Sequence, residues 1–291
     1  MDVSRMGGRR VKSLFRYPGS KDKMAPAVIG RMPMSVTYGI YSDRVSFYCE
    51  PFIGCGAIAV RVCRSLPTAT RIVLGDMDPG VTALWESVLR APAELCDRID
   101  RFAPSVELYD EYKATDGQTD RDVVDRGFRK LALHQMSFSG LGAMSGGPIG
   151  GRDQRSDYNI HCRWNPTRHK ADVWTQHRLF RRFDRPPEVH LADFSKTLGM
   201  VPPDGFAYLD PPYYAKGGEL YKHNMADADH ERLAALLKSA RFDWLLSYDD
   251  HPRVRELYSW ANIEHFEATY TIDVKRAKRR KNNELVITPR R

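Results

Sequence analysis

Apolar positions along the chain follow two rhythms. Short runs at 45–52, 71–76, 188–194, 206–210 and 242–248 carry the aromatic, Val, Ile and Leu content of buried strands, and two further strands fall near 263–269 and 284–288. Between them lie helical stretches with recognisable starts. Ser20 is positioned to cap a helix over 21–30, a glycine turn near 54–56 leads into a helix through about 64, and Pro79 suits the first turn of a helix through 90. Helices are also expected at 227–240 and about 253–258. Such alternation predicts an α/β fold. It is interrupted once. From about 92 to 136 the pattern is helical in three pieces, separated by Pro104 and by Asp116-Gly117. The stretch 139–151 then holds six glycines, which predicts a hairpin or mobile loop that makes poor core material. A basic helix near 172–182 follows. The expected organisation is one α/β domain in two parts, 1–91 and 186–291, with 92–185 inserted between them.

The chemistry this pattern carries sits at strand ends. The run Phe206-Ala207-Tyr208-Leu209 must stop at Asp210, because Pro211 has no N–H to continue a ladder. That leaves Asp210, Pro211, Pro212 and Tyr213 at the carboxyl edge, where α/β sheets bind ligands. A carboxylate and bare carbonyls are acceptors only, and Tyr213 offers a face for a flat ring, so the turn suits a planar ligand with N–H donors. Strand 45–52 runs into Ile53-Gly54-Cys55-Gly56-Ala57, a turn whose glycines let backbone approach a ligand. The spacing lacks the third glycine of the dinucleotide fingerprint, so a hydride-transfer cofactor is not implied. Strand 71–76 ends in Asp76, the position that commonly takes a ribose diol, with Met77 beside it to lie against a base. Strand 188–194 ends in Asp193-Phe194. Acids at the ends of three strands, Asp76, Asp193 and Asp210, point to one shared cleft for an adenosine-containing cofactor and its co-substrate.

Composition narrows the classes. Of 291 residues, 42% are hydrophobic, enough for a sizeable core, and no apolar run reaches the length of a membrane span. Residues 1–10 lack the apolar stretch of a signal peptide, so a soluble cytoplasmic protein is expected, a monomer with no membrane partner. The five cysteines are scattered without a Cys-x-x-Cys pair, which argues against a disulfide framework and a zinc site. The net charge is +8. Between 161 and 185 seven basic residues face only Asp172 and Asp184, and 275–281 holds six more. Arg163, Arg168, Lys170, Arg178, Arg181 and Arg182, interleaved with Tyr158, Trp164 and Trp174, are the candidate contacts to a nucleic-acid backbone.

Taken in order, Phe15–Lys21, Glu50-Pro51-Phe52-Ile53-Gly54-Cys55-Gly56, Asp76-Met77-Asp78, Asp193-Phe194 and Asp210-Pro211-Pro212-Tyr213 resemble the motifs of Dam-type DNA adenine methyltransferases. The likeness runs from about 14 to 288. It implies a Rossmann-like, seven-stranded, S-adenosylmethionine-dependent fold with an inserted helical and hairpin target-recognition domain. By that likeness Tyr17 and Lys21 lie at the amino-acid end of the cofactor, with Glu50, Phe52, Gly54, Cys55 and Gly56 around it. Asp76 binds its ribose, Met77 packs on its adenine, and Asp193 with Phe194 contacts that ring's edge. Asp210 through Tyr213 hold the target adenine, Asp210 also bordering the cofactor. Leu133–Leu141 with the glycine loop resembles the start of a recognition hairpin. Cys55 replaces a usual glycine, Pro18 and Ser20 replace small residues, and Asp78 stands where Asn is common. The implied activity is methylation of the adenine amino group in double-stranded DNA after base flipping, with a companion restriction endonuclease as a candidate partner. An amino-cytosine DNA methyltransferase, an RNA amino-methyltransferase and an inactive nucleic-acid-binding relative are the other readings. A carbon-5 cytosine enzyme is excluded, since no Pro-Cys pair occurs.

Overall fold

The computed structural model describes residues 13–17, 20–38, 45–215, 218, 224–270 and 280–290. The basic run at 275–281 lies outside them up to the start of the last strand, as do Pro18 and Gly19. Seven strands form one sheet: β1 Phe47–Glu50, β2 Arg71–Asp76, β3 Glu188–Leu191, β4 Phe206–Leu209, β5 Asp243–Asp249, β6 Asn262–Tyr270 and β7 Arg280–Thr288. Their order is β3-β2-β1-β4-β5-β7-β6. The first five run parallel and β7 is antiparallel to both β5 and β6. The chain reverses direction across the sheet between β1 and β4, so the carboxyl ends of these two neighbours open a crevice.

Strand side chains alternate between two apolar layers, as a period of two requires. Tyr48, Ile72, Leu74, Phe206, Tyr208 and Leu245 face one cluster; Phe47, Cys49, Val73, Ala207, Leu209 and Leu246 face the other. The second is covered by α9 Phe194–Leu198, α10 Asp227–Ser239 and α11 Pro252–Leu257. Over the first pack α1 Ala25–Ile29, α2 Met34–Tyr38, α3 Ala59–Val62 and α4 Pro79–Arg90. The helices of the 92–185 segment join that same cluster: α5 Pro92–Arg101, α6 Val106–Ala114, α7 Val123–Met136 and α8 Pro166–Phe180. None of the helices among the described residues is long and apolar enough to cross a membrane.

Several local expectations need correction. The helix over 21–30 is broken into a 3-10 turn, Lys21–Lys23, and α1, which restarts with Pro26 near its beginning. Ser20 makes no side-chain cap; its hydroxyl bonds Asp22 instead, at 3.3 Å. The first strand is shorter than 45–52, and the helix after the glycine turn stops at Val62. Strand β3 ends at Leu191, because Asp193 turns the chain by capping α9 through the Ser195 N–H. The glycine-rich stretch is compact. Ser137 pairs with Pro148, Ile149 N donates to Met136 O at 2.8 Å, and Gly140, Gly142, Ser145 and Ile149 are buried. Its glycines are needed where φ is positive and space is short: a Cβ on Gly142 would lie 2.7 Å from His134 Nε2.

Candidate active site

At the carboxyl ends of β1 and β4 lies a cleft of about 380 Å³, part of it open to solvent. Tyr17, Lys21, Glu50, Phe52, Gly54, Cys55 and Asp210 all line it, so seven of the positions expected around a cofactor converge on one space. The turn beneath is shaped by glycine. Gly54 and Gly56 have φ of +46° and +69°, and Gly54 lies against the Tyr17 ring. Gly56 faces away from the cleft: a Cβ there would fall 2.3 Å from Trp85, whose indole N–H donates to Gly54 O at 2.9 Å.

Asp76 holds the same turn. Its two oxygens accept the N–H groups of Gly54 and Asp78, each at 2.9 Å, while burial and the neighbouring Asp78 carboxylate push its carboxyl up to about 6. Asp78 caps α4 and is ion-paired with the buried Lys130 at 2.5 Å. Met77 is exposed beside them. Asp193 is engaged differently. Arg232 on α10 grips it with two bonds of 2.7 and 2.8 Å, holding its carboxyl well below the usual carboxylate range. Phe194 is buried between Phe52 and the Arg232 guanidinium, with ring centroids 5.6 Å apart and the cation 4.3 Å from the ring. Asp76, Met77, Asp193 and Phe194 are not among the residues that line this cleft, whereas Asp210 is. The three strand-end acids stand in a row along adjacent strand ends, β3, β2 and β4, with Glu50 on β1 between the last two.

Asp210 is the centre of the acceptor turn. Lys21, 1% exposed, brings its ammonium to 2.7 Å from Oδ1, and Ser247 donates to the same oxygen at 3.1 Å. Burial raises the Asp210 carboxyl and Lys21 opposes the rise. Tyr213 is buried, its hydroxyl donating to Glu284 Oε1 at 2.6 Å and accepting from Lys21 Nζ at 3.2 Å. Asp249, at the end of β5, accepts the N–H groups of Tyr214 and Ala215 at 2.9 and 3.0 Å and fixes the chain beyond the prolines. Lys21 thus both lines the cleft and holds the acceptor turn. Glu284, Ser247 and Asp249 stand outside the sequence motifs. The signal for Glu284 is a lone acid ahead of Leu285, Val286 and Ile287; for Asp249 it is one more acid at a strand end.

The candidate nucleic-acid contacts are not brought together. Arg163 bonds the Tyr158 hydroxyl at 2.6 Å, and burial raises that hydroxyl's pKa against the charge of nearby Arg16. Arg16 packs on Gly140, next to the Tyr17 that lines the cleft. Arg178, Arg181 and Arg182 lie elsewhere. Arg182 donates to Leu66 O and Asp184 N to Thr68 O, which ties the end of α8 to the loop before β2. That is the amino edge of the sheet, six strand residues or roughly 17 Å from the acceptor edge. Lys170 is paired with Asp100 at 2.6 Å, and Arg168 lies 3.6 Å from Asp172.

A mixed sheet with helices on both faces, a cleft over a glycine turn and an Asp-Pro-Pro-Tyr turn bordering that cleft are the features of a Rossmann-like methyltransferase. More narrowly, the chain belongs to the D12 class N6 adenine-specific DNA methyltransferase family, whose model matches residues 17–272. It is therefore a methyltransferase that acts on the exocyclic amino group of adenine in DNA. The match gives no support to the cytosine, RNA or inactive readings.

Proposed function

We propose that the protein carries a target adenine to Asp210–Tyr213 and a molecule of S-adenosylmethionine to the adjoining cleft. The observation that supports this most is Asp210 itself, which borders the cleft and heads the acceptor turn at once. The residues fit the cofactor. Glu50 and Asp210 on the cleft wall supply acceptors for its polar groups, Asp76 holds the glycine turn in place, and that turn gives the close backbone approach a nucleoside needs. When bound, S-adenosylmethionine supplies a methyl group on a sulfonium leaving group.

The adenine amino group is a weak nucleophile because its lone pair is delocalised into the ring. Lys21 and Ser247 engage one oxygen of Asp210, so the other accepts an amino N–H, and the Pro211 carbonyl accepts the second. Held this way, the nitrogen presents its lone pair to the methyl donor, and positioning supplies most of the rate. The methylated nitrogen then gives up its extra proton to the Asp210 oxygen that accepts its N–H, and from there the proton passes to water. Pro211 and Pro212 keep the turn stiff, and Tyr213 flanks the base. Reaching the pocket from a duplex requires flipping, at a cost of a few kcal/mol. The 92–185 segment is the candidate for target recognition, its glycine loop and Arg163 with Tyr158 standing on the cleft side.

Asp210→Ala is expected to lower methyl transfer by at least about 100-fold while cofactor affinity stays near that of the parent protein. Tritium transfer from labelled cofactor to unmethylated genomic DNA, with calorimetry for the cofactor, measures both. Parental turnover in that variant would refute the assignment of Asp210.

A further inference from the structure

We infer that Glu284 is a positioning residue for the acceptor turn, a role that rests on the reading of Asp210 and Tyr213 given above. Its setting is unusual. It stands on β7 directly before Leu285, Val286 and Ile287, all buried, and is itself only 1% exposed. A carboxylate removed from water in an apolar strand is costly unless charge and hydrogen bonds answer it. Here the answer comes from the active site: the Tyr213 hydroxyl at 2.6 Å and the Lys21 ammonium at 3.6 Å. Among the described residues Oε2 accepts no hydrogen bond, which leaves Tyr213 and Lys21 as the groups this acid serves.

Two consequences follow for the chemistry. A tyrosine anchored at its hydroxyl has its ring axis held from the far end, and the Lys21 ammonium 4.8 Å from the ring centroid limits how the ring turns about that axis. Lys21 is in turn suspended between Asp210 and Glu284, at 2.7 and 3.6 Å. A lysine with a second anion behind it cannot swing out of the turn, and so Asp210 keeps its orientation toward the target amine. Glu284 touches neither base nor cofactor; it acts through Tyr213 and Lys21.

The test compares Glu284→Ala, Glu284→Gln and Tyr213→Phe, singly and combined, in methyl transfer to unmethylated genomic DNA. Glu284→Ala is expected to lower kcat by about tenfold or more, with KM for DNA and cofactor affinity within about twofold of the parent. Glu284→Gln keeps an acceptor for the Tyr213 hydroxyl but not the charge that faces Lys21, and is expected to recover part of that loss. Tyr213→Phe combined with Glu284→Ala should be no slower than the slower single variant, since both break one linkage. Parental kcat in Glu284→Ala, a loss in KM alone, or a Gln variant as slow as Ala overturns the inference. Should the alanine protein fail to fold, Tyr213→Phe, which keeps the ring, is expected to show the same loss in kcat, and parental kcat there overturns it equally. Asp210→Ala run alongside separates the two readings. An inactive Asp210 variant with a normal Glu284 variant rejects the positioning role alone, whereas an active Asp210 variant rejects both.

Discussion

Glu50 closes β1 with its carboxylate accepting from the Tyr48 hydroxyl, and burial pushes its carboxyl up to about 8 against that bond, with Asp210 adding to the rise. The folded protein therefore holds a proton that the unfolded chain, with an ordinary value of 4.5, has already released at neutral pH. Stability from this group is full below 4.5 and is lost as pH rises toward and through 8. Asp76, raised to about 6, contributes in the same direction. Urea midpoints measured between about pH 5 and pH 9 should fall with rising pH, and Glu50→Gln should flatten the decline. An identical decline in the Gln variant would show that Glu50 is not its source. At this scale the sequence reveals what lies within a motif. Asp210, Gly54 and Asp76 announce themselves through a proline turn, a glycine turn and a strand end. The groups that hold them stay hidden, because Glu284, Ser247 and Asp249 come from other strands and no local pattern links residue 284 to residue 213. The cofactor roles of Asp76 and Asp193 also look different with their partners in place: each carboxylate has a structural task, at the glycine turn and at Arg232.

Elements were legible where capping and proline fix their ends. Strand 71–76 and helix 79–90 have the expected bounds, since Asp78 accepts from the Gly80 and Val81 N–H groups and Pro79 fits the first turn. The helix at 21–30 was not, because its fracture serves Lys21: the separate 3-10 turn carries that side chain into the site. Of the two expectations for the glycine stretch, the antiparallel Ser137–Pro148 bridge fits the hairpin, and it packs where poor core material is expected because side chains from elsewhere fill the space its glycines leave, His134 at Gly142 and Arg16 at Gly140. Gly127 obeys the same rule inside a helix. It lets α7 lie on α4, and a Cβ there would stand 2.6 Å from Leu84 Cα and 2.8 Å from Ala83 O, all backbone that cannot step aside. On a free helix surface Gly→Ala stabilises by about 1 kcal/mol. At this position Gly127→Ala is expected to destabilise by about 1–3 kcal/mol through overpacking. Thermal melting decides it, and an unchanged or higher midpoint would refute the tight α4–α7 seam.

For the molecule as a whole, the arrangement of charge bears on how DNA approaches. The sequence treats the basic residues from 163 to 182 as one path, but α8 runs away from the cleft and divides them. Arg163 and Tyr158 stay near Arg16 on the acceptor side, whereas Arg178, Arg181 and Arg182 reach the amino edge. With Asp210 in its proposed role, a duplex delivering one flipped base to it must lie across the carboxyl edge, where the glycine loop also presents Phe138, 62% exposed. A short duplex there has no phosphates within reach of the opposite edge. Replacing Arg16 and Arg163 by Ala should therefore lower the slope of log K against log salt by about 0.9 for each phosphate no longer neutralised. Replacing Arg178, Arg181 and Arg182 should leave the slope for the same short duplex unchanged. Fluorescence anisotropy across a salt series measures both. A smaller slope in the second variant would mean that DNA wraps past the sheet to its amino edge, and a constant slope in the first would move the duplex off the Arg16–Arg163 side altogether.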